Sequence, residues 1–180
     1  MVEFIEESGM NFIVDNSFYI EKSPLYAELN AGKNKIRTVE FIRYLNNDYF
    51  EETLLFVEAK TTFPNPNNPL AENLERFDKA ICEICKKFTH SLSVCSSILT
   101  GANNETSAEP LIKVLSPPKN IVVFFVLVIK THEISWCKKV HGEIMDKLPE
   151  DIKHIWRPEI LVINHETAIE IKLAADIGNE

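Results

Sequence analysis

Glu58 and Lys60 stand two residues apart at the end of Leu54-Leu55-Phe56-Val57-Glu58-Ala59-Lys60, an apolar stretch with the pattern of a β-strand. Side chains alternate across a strand with period two, which puts this carboxylate and this ammonium on one face, roughly 7 Å apart along the backbone. Val57 and Ala59 take the other face. Four apolar residues in succession imply a strand covered on both sides, so charges at its exit need partners or a wetted cleft. A carboxylate there can hold a hard cation, and a lysine beside it can steady developing negative charge. A solvated ion pair, worth under ~1 kcal/mol, would use the same two residue types. The elements around the pair must decide between these readings.

Thr38 to Leu45 is strand-like, rich in β-branched and aromatic residues, and Asn46-Asn47-Asp48 marks its turn. With so short a connection it is expected to pair antiparallel with Leu54 to Lys60. Phe63-Pro64-Asn65-Pro66-Asn67-Asn68-Pro69 breaks regular structure just beyond Lys60. Ala71 to Leu99 is expected to be one long helix, because Phe77, Ile81, Cys85, Phe88, Leu92, Cys95 and Leu99 recur at spacings of three and four. Asn120 to Lys130 reads as a central strand, a run from Glu133 to Leu148 as a helix, and Pro158 to Ile163 as a last strand. Glu166 to Ala175 is a terminal helix or strand. Near the N-terminus, Met10 to Val14 and Ser17 to Lys22 are expected to form a hairpin around Asp15-Asn16. Ser23-Pro24 opens a short helix through Leu29, with serine as cap and proline in its first turn. Gly101 to Glu109 reads as a polar loop, and Pro117-Pro118 as a second breaker.

An antiparallel strand pair ending in Glu58-Ala59-Lys60, followed by a long helix and a buried strand, resembles the core of the PD-(D/E)XK nuclease superfamily over about Thr38 to Lys130. The resemblance implies a restriction-endonuclease-like α/β fold: a mixed sheet flanked by helices. It also implies phosphodiester hydrolysis, in DNA above all, assisted by Mg²⁺ or Mn²⁺. Glu58 and one upstream acid would ligate the ion, and Lys60 would act beside them. Glu40 and Asp48 are the available upstream acids, and no Pro-Asp dipeptide is present. Glu40 is preferred: a hairpin closed near Asn46 to Glu51 brings the start of its first strand beside the end of its second, while Asp48 stays at the turn. Glu6, Glu7, Glu21 and Glu28 are available as a further acid from an N-terminal element. The alternative is a catalytically inactive interaction module of the same fold, binding a protein partner.

Cys82, Cys85, His90 and Cys95 have the spacing of a zinc knuckle, but on a helix at ~100° per residue they point to different sides. Zinc is therefore not expected, and buried thiols are the reading of Cys85 and Cys95. His132, His141, His154 and His165 form no ligand pair near an acid cluster, and Trp136 and Trp156 read as packing or interface residues. Lys79, Lys86 and Lys87 fall on the polar side of the long helix. With Lys33, Lys35 and Arg37 they would make a local basic patch for nucleic acid, although a solvated helix face explains the helix lysines alone.

The chain has 180 residues, 45% of them hydrophobic, enough for one well-buried core. A single domain is expected over 1–180, its core spanning about 10–163. A net charge of −8 opposes indiscriminate binding to nucleic acid or anionic membrane. The longest apolar run, Ile121 to Ile129, is too short to span a bilayer, and no basic segment opens the chain. A cytoplasmic protein with free thiols and no membrane partner is the expectation.

Overall fold

The computed structural model describes residues 3–33, 35–116 and 120–176, arranged as a mixed α/β structure with two sheets. The larger sheet has the order β3 (Ser17–Phe18), β4 (Phe41–Leu45), β5 (Thr53–Lys60), β6 (Val122–Ile129) and β7 (Glu159–Asn164). Pairing is antiparallel from β3 to β5 and parallel from β5 to β7. The change of sense has a covalent cause. A short turn joins β4 to β5, whereas α2 (Ala71–Leu99) carries the chain from β5 back to the start of β6. β6 is apolar throughout because it has a strand on each side and a packed layer on each face.

Those layers differ. On one face Leu54, Phe56, Phe125 and Leu127 pack against α2 and α4 (Ile134–Lys147), through Ile81, Phe88, Val140 and Ile144 among others. Phe88 stacks on Phe125 with ring centroids 4.6 Å apart. On the opposite face Leu55, Val57, Ala59 and Val126 meet Met10 and Phe12, with Ala168 and Leu173. The second layer is thus the small sheet of β1 (Phe4–Glu7), β2 (Met10–Ile13) and β8 (Ala174–Ala175), together with α5 (His165–Glu170). β5 alternates between the two layers, and this alternation directs Glu58 toward α2.

The β4–β5 pairing, the extent of α2, the α4 segment and the position of β6 agree with the sequence pattern. α1 (Pro24–Leu29) also forms as its capping signal implies: the Ser23 hydroxyl accepts from Tyr26 N–H at 3.1 Å. The N-terminal hairpin does not form. β2 pairs with β1 and β8, β3 pairs with β4 in the other sheet, and Ile20–Lys22 is a single 3₁₀ turn. Asn16 at φ 52° turns the chain from one sheet to the other rather than closing a hairpin. Part of Gly101 to Glu109 is 3₁₀ helix (Thr106–Ala108) leading into α3 (Glu109–Val114), which its proline and polar residues obscured. Pro117-Pro118 lies outside the described residues. Among the described residues, no helix is long and apolar enough to cross a membrane.

Candidate functional site

At the carboxyl end of β5, five charged side chains from four segments meet on the α2 side of the sheet. Glu58 is fully buried, and Lys60 lies beside it with Nζ 2.6 Å from Glu58 Oε1. Glu40 stands one step beyond the last β4–β5 pair, Phe41 with Val57, and its N–H donates to Val57 carbonyl at 3.1 Å. That register puts Glu40 opposite Glu58. Glu21 comes from the 3₁₀ turn, and Lys87 from the middle of α2. Lys87 Nζ donates to Glu58 Oε2 at 3.0 Å and lies 2.9 Å from Oε1, 3.6 Å from Glu21 and 3.8 Å from Glu40.

Three hydrogen bonds hold these elements in place. The Ser91 hydroxyl, one turn along α2 from Lys87, accepts from Val39 N–H at 2.8 Å and so fixes the residue before Glu40 against the helix. The β1–β2 turn, with Ser8 at φ 53° and Gly9 at φ 70°, lies over the ends of β5 and β6. Ser8 Oγ donates to Ala59 carbonyl at 3.1 Å, and Lys130 Nζ donates to Gly9 carbonyl at 2.6 Å. Two left-handed residues in sequence suit a tight hairpin, and this one brings Glu7 to the rim of the cluster.

The electrostatics follow from burial. Glu40 is pushed up to about 8, first by desolvation and then by the charges of Glu58 and Glu21, with Lys87 opposing. Glu7 is raised as well, by burial, with Lys22 opposing and Glu21 and Glu58 adding. Burial works against the charge on Lys87, but Glu58, then Glu40 and Glu21, outweigh it and lift its pKa above the ordinary lysine range. The cluster is thus short of positive charge, and near neutral pH it holds a proton on Glu40.

Two of the upstream acids separate as the hairpin argument requires: Glu40 reaches Glu58, while Asp48 is exposed in the turn at the other end of the hairpin. Asp48 is therefore withdrawn as a ligand beside Glu58. Of the N-terminal acids, Glu21 enters the cluster and Glu7 its rim, while Glu6 and Glu28 are exposed. Lys87 requires a correction, since it faces inward rather than belonging to a solvated helix face. Ile84 and Ser91, three residues before and four after it, are both buried and place it on the margin of the apolar stripe. Of the residues expected in the basic patch, Lys33, Lys35, Lys79 and Lys86 are exposed, whereas Lys87 is turned inward and Arg37 pairs with Glu83 at 2.6 Å. Cys85 and Cys95 are buried along α2, and His90 Nδ1 lies 3.1 Å from Arg37 carbonyl.

Whether the donor set suits Mg²⁺ or Mn²⁺ depends on the free oxygens. Carboxylates are the hard ligands such ions take. Glu58 Oε1 is held by two ammonium groups, Lys60 Nζ at 2.6 Å and Lys87 Nζ at 2.9 Å. The ligand type suits such an ion, but the spacing is that of an ion-paired cluster. Among the described residues, no three His, Cys, Asp or Glu side chains are gathered closely enough to hold a metal ion, and Lys87 lies between the acids of this cluster. A cavity of about 770 Å³ lined by Thr106, Pro110 and Lys113 includes none of these side chains. Comparison of the chain with protein-family models, with characterised proteins and with solved structures gave no match.

Proposed function

We propose that the chain is a metal-dependent nuclease with a restriction-endonuclease-like core, hydrolysing phosphodiester bonds in DNA. The observation that carries this reading is the convergence of Glu58, Glu40 and Lys60 on one sheet face at the end of β5, with β4 antiparallel and β6 parallel to it. Glu58 and Glu40, with Glu21, would hold Mg²⁺ or Mn²⁺. When bound, the ion supplies polarisation of the phosphate and a lowered pKa for its water. Lys60 is partly exposed, with a side chain 36% accessible, and can reach a substrate phosphate while still paired with Glu58. Its role is preorganised stabilisation of developing negative charge. Ser91 positions Glu40 through Val39, and Ser8 ties the β1–β2 turn to the end of β5.

A second reading has its own support. An ammonium in the middle of the carboxylates satisfies them without any ion, as an inactive interaction module of the same fold would. Cleavage assays on single- and double-stranded DNA and on RNA, with Mg²⁺ or Mn²⁺, separate the two. The nuclease reading expects cleavage by wild type that falls at least a hundredfold in Glu58→Ala and Lys60→Ala, on the order of an oxyanion-donor deletion. Absence of cleavage, or cleavage indifferent to both substitutions, selects the interaction module.

A further inference from the structure

We propose that the outer edge of β7 is a dimerisation surface, where a second copy of this chain adds its own β7 antiparallel about a two-fold axis and joins the two five-stranded sheets. The pairing is independent of the chemistry at Glu58.

The two edges of the larger sheet are built differently. β3 is two residues long, too short to template another strand. β7 has six residues, and its Ile160-Leu161-Val162-Ile163 carries none of the charges, prolines or bulges that ordinarily blunt an edge. Among the described residues, no strand pairs with its outer side. Every second residue of β7 therefore directs its backbone N–H and C=O away from β6 toward an open edge. A groove of about 240 Å³ follows the strand from Ile160 to Asn164, walled by Ile134, Cys137 and Lys138 of α4.

The two ends of β7 select the occupant. Before the strand, the π-helical turn Ile152–Trp156 holds two apolar side chains in solvent, Ile155 at 74% exposure and Trp156 at 43%. Ile152 anchors that turn in the layer of α4, on the same side of the sheet as the groove. α4 runs back along the parallel strands, so its first residue, Ile134, stands at the carboxyl end of β7, where it is 67% exposed and lines the groove. A two-fold axis through the middle of β7, perpendicular to the sheet, keeps both α4 layers on one side and sets the start of each strand beside the end of the other. The apolar turn of each copy then meets the apolar groove end of the other.

Charge agrees with this arrangement. Arg157 lies two residues before β7 and Glu166 two residues after it, and both are exposed. Antiparallel pairing brings each Arg157 toward a Glu166, twice per dimer. Parallel pairing would set like charges together at both ends.

The test is sedimentation of the full chain. Wild type should sediment with twice the mass of the chain at about 10 μM. Trp156→Glu, Arg157→Glu and Glu166→Arg should each weaken association at least tenfold. An equimolar mixture of Arg157→Glu with Glu166→Arg should recover it, because the mixed antiparallel dimer regains two opposite-charge pairs. Circular dichroism shows whether each variant is folded. Should one fail to fold, hydrogen exchange of wild type reports instead: alternate amides of Glu159 to Asn164 should gain protection as protein concentration rises through the dimer transition. A wild type still monomeric at about 100 μM would overturn the proposal. So would a dimer indifferent to all three substitutions, a mixture that stays monomeric, or exchange along β7 that does not change with concentration.

Discussion

Glu40→Gln removes one carboxyl charge from the cluster while keeping the size of the side chain. In the folded protein the acid is pushed up to about 8 by burial and by Glu58 and Glu21, against an ordinary value of 4.5. An acid raised on folding binds its proton more tightly in the native state, so its contribution is fully present below about pH 4.5 and is lost as pH rises toward 8. Wild type should therefore lose stability across that window. The full displacement corresponds to ~5 kcal/mol at 1.36 kcal/mol per pKa unit. Lys87 and Glu21 can shift to meet the new charge, so a loss of ~2 to 4 kcal/mol is the expected measurement. Glutamine is neutral throughout, and the variant should show none of this slope and be the more stable protein above pH 8. Urea unfolding in steps from about pH 5 to pH 9 reads both curves. Parallel curves, or a wild type that gains stability with pH relative to the variant, would refute the account of the cluster as short of positive charge.

Other perturbations test the fold around the site. His132 is 5% exposed between Phe63 and Trp136, its Nε2 has no hydrogen-bond partner among the described residues and burial lowers its pKa, so wild type should lose stability as pH falls below about 6.5 and His132→Phe should lose less; coincident acid limbs in thermal melts would exclude this. Asp15→Ala strips the buried Arg43 guanidinium of its 2.5 Å partner and should cost ~3 kcal/mol, most of it recovered in the Asp15→Ala, Arg43→Met double variant, as denaturant midpoints will show. Phe88→Ala removes the ring stacked on Phe125 and should cost ~3 to 5 kcal/mol, seen as a lower denaturant midpoint at unchanged slope.

The pairing of Glu58 with Lys60 was legible because strand periodicity is local, and so was the approach of Glu40, which follows from closing one hairpin. α2 was legible to its ends because the proline loop and the apolar stripe both bound it. Lys87 was not, since charge on a helix is ordinarily solvated and only burial of Ile84 and Ser91 beside it reveals the exception. Glu21 could not be chosen among four N-terminal acids without the 3₁₀ turn that aims it. The N-terminal pairing is hidden for a related reason: β2 takes β1 as its partner, yet β1 is Phe-Ile-Glu-Glu, a strand of partly exposed residues whose pattern carries little apolar signal. Pairing partners that meet through tertiary packing leave no periodicity to read.

The change of strand sense within the sheet also orders events in time. β4 meets β5 across a short turn, so this hairpin closes with little loop entropy, but Glu58 and its β6 neighbour Leu127 are about 70 residues apart in the chain. Contact order predicts that the parallel half of the sheet follows the hairpin. In the folded protein Glu58 is fully buried with Lys87 of the helix against it, so its desolvation is expected to accompany docking of α2. Above pH 8, where Glu40 of wild type is ionised, relief of the cluster's repulsion in Glu40→Gln should accordingly appear as slower unfolding, with the rate of folding almost unchanged. The charges at the end of β5 would then govern how long the native protein persists, and the hairpin how quickly it is reached.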